Sequence, residues 1–379
     1  MKKALFLTLF MAVTTIQSQV SIIINSLPED TPPSTTLYLA SSLNQWNAKD
    51  ENSKFKLNSD GKYEINLPVQ SDNNIEFKIT TGNWEVAEAD AEGNPTENHK
   101  ADLNSPKKIE INIEKWTSKK EKEHTLTGNV KILNPHFTIP QLRTTRRIWI
   151  YLPPDYKTSG KRYPVIYMHD GQNLFDNATS FSGEWGVDET MQKFAQAHQF
   201  SAIIIGIDNG GDERLNEYSP WTNDKYKKGG KGNLYLEFLV KTLKPFIDKT
   251  FRTLPQAKNT ALIGSSMGGL ISFYGGIKYP NVLGKIGVFS PAFWFSDSDL
   301  KSYLNKEHSG LKRSKFYFVA GAHEGDQMPQ EIASVEKLIQ HYVPEKNIFT
   351  KIDEDGTHSE GYWNREFGNA VLWLFGKSK

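Results

Sequence analysis

Residues 261–270 read ALIGSSMGGL: an apolar run ends at Gly264, and a helical pattern, MGGLISFYGGIKY, begins at Met267. Between them stands Ser266, with Gly264 two residues before it and Gly268 two residues after. A serine on so abrupt a strand-to-helix turn must hold a strained backbone, and a side chain at either glycine would collide with the neighbouring strand or helix. The turn lifts the hydroxyl above the end of a sheet. It also aims the amide of Met267, at the helix amino end, toward an oxyanion. G-x-S-x-G alone is a weak pattern that a glycine-rich packing turn would also satisfy; its place between strand and helix favours a nucleophile.

The surrounding texture fits that turn. Apolar, β-branched runs (RIWIYLP, YPVIYMHD, SAIIIGID, TALIG, GKIGVFSP, KFYFVAG, NIFTKID) alternate with helical patterns near residues 186–198, 232–249, 267–278, 329–342 and 362–376. Strands apolar along their whole length and separated by helices predict a mostly parallel α/β sheet covered on both faces, with ligands at the carboxyl ends of the strands.

A hydroxyl attacks only when a base takes its proton, so Ser266 requires a histidine late in the chain and an acid before it. Of nine histidines, His358 in DEDGTHSEGYW follows the last predicted strand and precedes the last helix. His99 and His124 precede the sheet, while His198, His308 and His341 lack that context; His169 and His323, at strand ends, are candidates for lining the pocket. The acid should follow KFYFVAG, where AGAHEGDQ offers Glu324 first and Asp326 as the alternative, with Asp353 and Asp355 behind them. Its task is to fix the imidazole tautomer and stabilise the imidazolium. A second oxyanion amide is expected from Gly171, Gln172 or Asn173, in the loop after YPVIYMHD. Glu184, Trp185, Arg214, Tyr218 and Trp294 fall in loops near strand ends and are candidates for an acyl pocket, although each could equally be scaffold.

Together RRIWIYLPPDY, PVIYMHDGQNLFD, GEWGVDE, RLNEYSPW, LKPFIDKTFRT, GSSMGG and GTHSEGYW resemble an esterase family of α/β hydrolases, over about residues 126–377. That family holds feruloyl and acetylxylan esterases, enterobactin-type siderophore esterases and S-formylglutathione hydrolases. The resemblance implies an α/β-hydrolase fold and a Ser-His-acid acyl transfer, and it is less specific for substrate. Similar feruloyl esterases place their acid three residues after a glycine, which maps onto Gly321 and Glu324. The expectation is an esterase that removes feruloyl or acetyl groups from plant polysaccharides. The alternatives are a siderophore trilactone esterase, or a carbohydrate-binding protein with an inactive hydrolase.

Ahead of this region, TTLYLA, KYEINLPV, IEFKIT and KKIEINI are short alternating stretches bounded by turn residues, which predicts a small all-β, antiparallel, immunoglobulin-like sandwich over 20–117. The boundary falls within the charged run near residues 115–126, and the α/β domain occupies 118–379. LYLASSLNQWNAKD and GNWEVAEADAEGNPTENH are similar to starch- and glycogen-binding modules, and the resemblance implies a sugar site at Trp46, Lys78 and Trp84, with Glu85 and Asn98 nearby. Core packing of the same tryptophans is the plain alternative.

The first nineteen residues, MKKALFLTLFMAVTTIQSQ, have the lysine, apolar and small-residue order of a secretory signal, so export to the periplasm or beyond is expected. No later run is apolar enough to cross a membrane. Among 379 residues, 45 Lys and Arg balance 44 Asp and Glu, leaving no field to hold nucleic acid, and no cysteine is present for disulfide or thiolate chemistry. No metal-ligand motif is legible, so neither metal nor cofactor is expected.

Overall fold

The computed structural model describes residues 19–69, 74–117, 122–181, 183–197, 199–324 and 327–376. The predicted leader, His198 and Asp326 lie outside the described residues. Two compact units divide the chain, residues 1–121 and 122–379.

In the first unit Gln19–Ser26 runs antiparallel to Tyr63–Pro68 and parallel to Lys107–Asn112, with Lys56–Leu57 at the edge. A second sheet sets Asn74–Thr80 between Tyr38–Ser41 and His99–Asp102. Val20, Ile22 and Ile24 meet Leu39, Ile75, Phe77 and Ile79 in one apolar cluster, as a period of two dictates. The parallel pair departs from the expected antiparallel sandwich. Its two strands come from opposite ends of the unit, so no short hairpin fixes their relative direction. Lys115–Trp116, inside the run read as a boundary, pairs with Glu88–Ala89.

The second unit is built on eight strands: β1 (Val130–Ile139), β2 (Thr144–Tyr151), β3 (Val165–His169), β4 (Ile203–Ile207), β5 (Thr260–Ser265), β6 (Lys285–Phe289), β7 (Lys315–Gly321) and β8 (Ile348–Asp353). Their spatial order is 1-2-4-3-5-6-7-8. The β1–β2 and β2–β4 pairs are antiparallel and every later pair is parallel. This is the α/β-hydrolase arrangement. β1 escapes a pattern reading because VKILNPHFTI is mostly exposed and its register slips twice.

The longer helices are α1 (Val187–Gln196), α2 (Gly232–Phe238 continuing through a wider turn, Leu239–Leu243, into Lys244–Thr250), α3 (Met267–Lys278), α4 (Asp297–Lys306), α5 (Met328–Ile339) and α6 (Glu360–Phe375). Of these, α4 lacks a predicted counterpart, since its ten residues bury just Leu300 and Leu304, as does the single-turn helix Arg214–Glu217. Alternate strand residues feed two cores. Tyr167, Leu262, Ile286 and Phe318 pack with α2, α3, α4 and α5, whereas Met168, Ile263, Phe289 and Val319 pack with α1 and α6. Each such side chain contributes about 1.5–3 kcal/mol on burial. Helix α3 lies close on the sheet, for a β-carbon at Gly276 would stand 2.5 Å from Ile286 Cγ1.

Candidate active site

Ser266 closes β5 and precedes α3 with φ 56° and ψ −121°, a conformation that an L-residue holds only when its surroundings impose it. They do so by hydrogen bonds. Its amide donates to the Phe289 carbonyl at 2.9 Å, and its carbonyl accepts from Leu270 at 3.1 Å and Ala292 at 3.0 Å. A β-carbon at Gly264 would sit 2.7 Å from His169 Cδ2 and 2.8 Å from the Gly268 backbone, so the turn closes only with glycine there. The hydroxyl-bearing residue is thereby tied to the end of β6, where the next element of the site begins.

That element is Ser290, the residue after β6, fully buried and itself at φ 40°. Its hydroxyl donates to Glu324 Oε1 at 2.8 Å and accepts from Trp363 Nε1 at 2.9 Å. Glu324 Oε1 also accepts the Gly321 amide at 2.6 Å, which closes the loop after β7 on itself. Its other oxygen, Oε2, lies 2.8 Å from His358 Nδ1. The acid's side chain is wholly buried while the imidazole is 43% exposed. His358 is held just ahead of α6, where the Ser359 side chain caps the helix by accepting the Tyr362 amide, and the Trp363 ring meets the imidazole edge-on at 5.1 Å. Among the described residues no hydrogen bond joins the Ser266 hydroxyl to His358; catalytic contacts of this kind commonly tighten only when substrate binds.

The structure therefore brings Glu324 and His358 together at the sheet edge that holds Ser266. Asp353 is taken by Lys351 at 2.8 Å and Arg365 at 2.7 Å, and Asp355 is exposed. Ser290 and Trp363 were not legible as members of the site. The only signal was that Ser290 opens the loop after β6 at the edge that also presents Ser266.

The 171–173 loop is a single 3-10 turn after β3, preceded by Asp170 at φ 55°. The Asn173 amide donates to the Asp170 carbonyl at 2.9 Å, its side-chain amide to Glu360, and its side-chain oxygen accepts from Phe181. Asn173 is thus spent on the scaffold and drops out as an oxyanion donor, leaving Gly171 and Gln172. Met267 is the first residue of α3, so its amide has no carbonyl one turn earlier to bond. Asp170 forms a two-point ion pair with Arg214 (2.7 and 2.8 Å) and accepts from Asn209 at 2.7 Å; these contacts hold its carboxyl below the usual range against the opposing effect of burial.

His169 is buried beneath the Ser266 turn, with Nδ1 2.8 Å from the Tyr235 hydroxyl and Nε2 unpartnered. Burial pushes its pKa down to about 3, so the ring is neutral packing for Gly264 and Gly268 rather than a pocket wall. Two further candidates are corrected in the same sense. Trp185 is buried between Phe289 and Trp363, and Tyr218 is buried against His169 and Tyr235. Both are aromatic enough for a pocket, but apolar strand neighbours draw them into the core. Arg214 is bound to Asp170, His323 is exposed, and Glu184 accepts from Thr125 at 2.6 Å. Of the pocket candidates, Trp294 is the one exposed aromatic, 5.5 Å from Tyr226 and two residues beyond the Ala292 amide that bonds Ser266.

In the first unit, Trp46 and Trp84 stand 6.2 Å apart at 44°, and the Trp84 indole donates to the Trp46 carbonyl at 3.2 Å. Glu85 and Asn98 are exposed, with Asn98 donating to Glu76. Lys78 does not join them. Its buried ammonium is ringed by the carbonyls of Thr96 and Glu97 and the Thr96 hydroxyl, which replaces the water a charged group loses on burial.

Residues 139–374 match the family described as "Putative esterase". The Bacillus subtilis uncharacterised protein YbbA is 29% identical over 247 residues, 62% of this chain and 94% of its own length. An endo-1,4-beta-xylanase/feruloyl esterase of Xylanibacter ruminicola is 26% identical over 176 residues, 45% of this chain and 22% of its own. The enterobactin esterase FES of Shigella flexneri, solved in the presence of enterobactin, superposes with a TM-score of 0.54 at 16% identity, over 89% of this chain and 87% of its own. That last likeness is one of fold.

Proposed function

Because this chain belongs to the "Putative esterase" family of α/β hydrolases, we propose that it cleaves carboxylic esters with Ser266 as nucleophile, His358 as base and Glu324 as the orienting acid. Ser266 Oγ attacks the ester carbonyl carbon and its proton passes to His358 Nε2, while Glu324 holds Nδ1–H and stabilises the imidazolium. The oxyanion receives the amide of Met267 and one from Gly171 or Gln172. Collapse breaks the bond to the alcohol oxygen, which takes the proton back from His358. Water then repeats the sequence on the acyl-enzyme.

The observation that bears most weight is the hydrogen-bonded string from Trp363 through Ser290 and Glu324 to His358, anchored one residue from the carbonyl that holds Ser266. A fluorophosphonate probe tests it. Labelling of the wild type and not of Ser266→Ala supports the assignment, and equal labelling of both sinks it.

For substrate, we infer acyl groups, feruloyl or acetyl, on plant polysaccharide. The xylanase/feruloyl esterase relative and the exposed Trp294 near the Ser266 turn support this reading, and the tilted Trp46 and Trp84 faces suit sugar rings. A siderophore trilactone is the second reading, supported by the fold likeness to the enterobactin esterase across most of the chain. Assays on a feruloyl ester, acetylated xylan and ferric enterobactin side by side separate the two; turnover of only the last reverses the choice. The lysine-led apolar leader supports export.

A further inference from the structure

Glu184 and, at the start of α1, Asp188 and Glu189 bring one carboxylate oxygen each within 4.8 Å of one another. Acids at a helix amino end are ordinary, for that end carries about half a positive charge. Three are more than it can balance. The strongest charges acting on Glu189 are Asp188 and Glu184, and those on Glu184 are Asp188 and Asp176, all negative.

A second observation points to a missing counter-charge. The Asp188 side chain is fully buried; Oδ2 accepts the Thr127 amide at 2.8 Å, Oδ1 meets no N–H donor among the described residues, and the Asp188 and Glu189 carboxyls lie within hydrogen-bonding reach of each other. Glu184 repeats the arrangement, with Oε2 accepting from Thr125 and Oε1 buried and unpartnered, and Glu189 Oε2 is unpartnered as well. The hydroxyl of fully buried Tyr151 on β2, on which Asp188 is the leading charge, also lacks a partner among the described residues. Buried polar atoms in folded proteins nearly always have partners, so acid oxygens converging on one spot call for a proton or a cation between them.

We propose that Glu184, Asp188 and Glu189 bind a hard divalent cation, calcium in preference to magnesium. The donors named are all oxygen, which excludes a soft metal, and a cage of protein carboxylates suits calcium, which accepts many oxygens in flexible geometry, better than magnesium, which keeps several waters. The ion neutralises a segment that is tied to the loop at the site: the Trp185 amide donates to Asn173 at 2.9 Å and that of Val187 to Leu174 at 3.1 Å. It is structural and does not depend on the esterase assignment.

Full-length protein stripped with a chelator and dialysed supplies the test, by melting with and without calcium and by terbium luminescence excited through tryptophan, with Trp185 adjoining Glu184. Calcium at a hundredfold excess over its Kd raises Tm by about 5–10 °C, and terbium emission appears and is quenched by added calcium. Glu189→Gln weakens calcium at least tenfold, and Asp188→Asn, if it folds, does so more. The proposal is overturned if the stripped wild type neither shifts nor lights up, or if Glu189→Gln responds as the wild type does. A wild type indifferent to calcium, with Glu189→Gln melting higher at pH 8, makes the cluster a proton-sharing pair and equally overturns it.

Discussion

Ser290→Ala is the substitution whose consequences the structure specifies most fully. The hydroxyl is fully buried and serves two partners, accepting from Trp363 Nε1 at 2.9 Å and donating to Glu324 Oε1 at 2.8 Å. Removing it leaves an indole N–H without an acceptor, a cost of about 1–3 kcal/mol, and deprives a buried carboxylate of one charge-assisted bond, a further 1.5–3 kcal/mol or so. The total of about 2.5–6 kcal/mol corresponds to a fall in Tm of roughly 5–25 °C at this domain size. Glu324 keeps the Gly321 amide and His358, so kcat should drop only about 10- to 100-fold while KM changes little. Thermal melts and ester kinetics on Ser290→Ala, Trp363→Phe and the double variant form the assay. Because Trp363→Phe already removes the N–H, the second substitution should cost about 1–2 kcal/mol less in that background. Additive losses, or a Ser290→Ala enzyme as stable and active as the wild type, would refute the claim that the three side chains act as one string.

Glu324→Gln can still accept from Gly321 and Ser290 through its oxygen, but it then presents an NH2 to His358 and forces the wrong tautomer. Expected is a kcat loss of about 10³- to 10⁴-fold at nearly constant KM, by analogy with the same change in a serine protease, and a loss under tenfold would exclude Glu324 as the orienting acid. Gly264→Ala places a methyl 2.7–2.8 Å from His169 and from the Gly268 backbone, which cannot yield, so denaturant midpoints should report about 3 kcal/mol or more lost, and a loss below 0.5 kcal/mol would contradict the packing. His169 titrates at about 3 when folded and near 6.5 when unfolded, so between those values the unfolded chain binds a proton that the native protein refuses. Stability should therefore decline as pH falls through 6.5, by about 2 kcal/mol at pH 5 relative to pH 8, and His169→Gln should remove that portion in denaturant titrations; an unchanged pH dependence in the variant would show His169 to be protonated in the fold.

Where the polypeptide's own pattern controls geometry, sequence reading was enough. Seven apolar runs became β2 to β8 because strands buried on both faces must be apolar throughout, and the Ser266 turn was legible because a strand-to-helix turn of this kind needs that glycine spacing. Glu324 and His358 were legible from their places after β7 and β8. What failed depends on partners distant in sequence. Trp185, Tyr218 and Lys78 have compositions suited to binding, and only the folded neighbours (Phe289 and Trp363, His169 and Tyr235, the Thr96 carbonyl) reveal that each is already engaged. The Glu184, Asp188 and Glu189 cluster was missed for a related reason. Its donors share no recognised motif, and their convergence with Thr127 and Tyr151 exists only in space.

Backbone strain offers a criterion that composition cannot. Among the described residues seven that are not glycine have positive φ, and three of them, Asp170, Ser266 and Ser290, are the residues immediately following β3, β5 and β6. These strands are neighbours in the sheet, in the order β3, β5, β6. Each such residue costs about 1–3 kcal/mol and persists only where its surroundings over-determine it. Here they do: Arg214 and Asn209 hold Asp170, the Phe289 carbonyl and the Ala292 and Leu270 amides hold Ser266, and Trp363, Glu324 and the Val319 carbonyl hold Ser290. An extended residue at any of the three would continue its strand and carry the side chain along the sheet instead of turning it above the edge. The strain is thus the geometric requirement for bringing a hydroxyl, the loop proposed to present an oxyanion amide and the support of an acid to one end of the sheet, and the parallel core beneath supplies the stability that permits it.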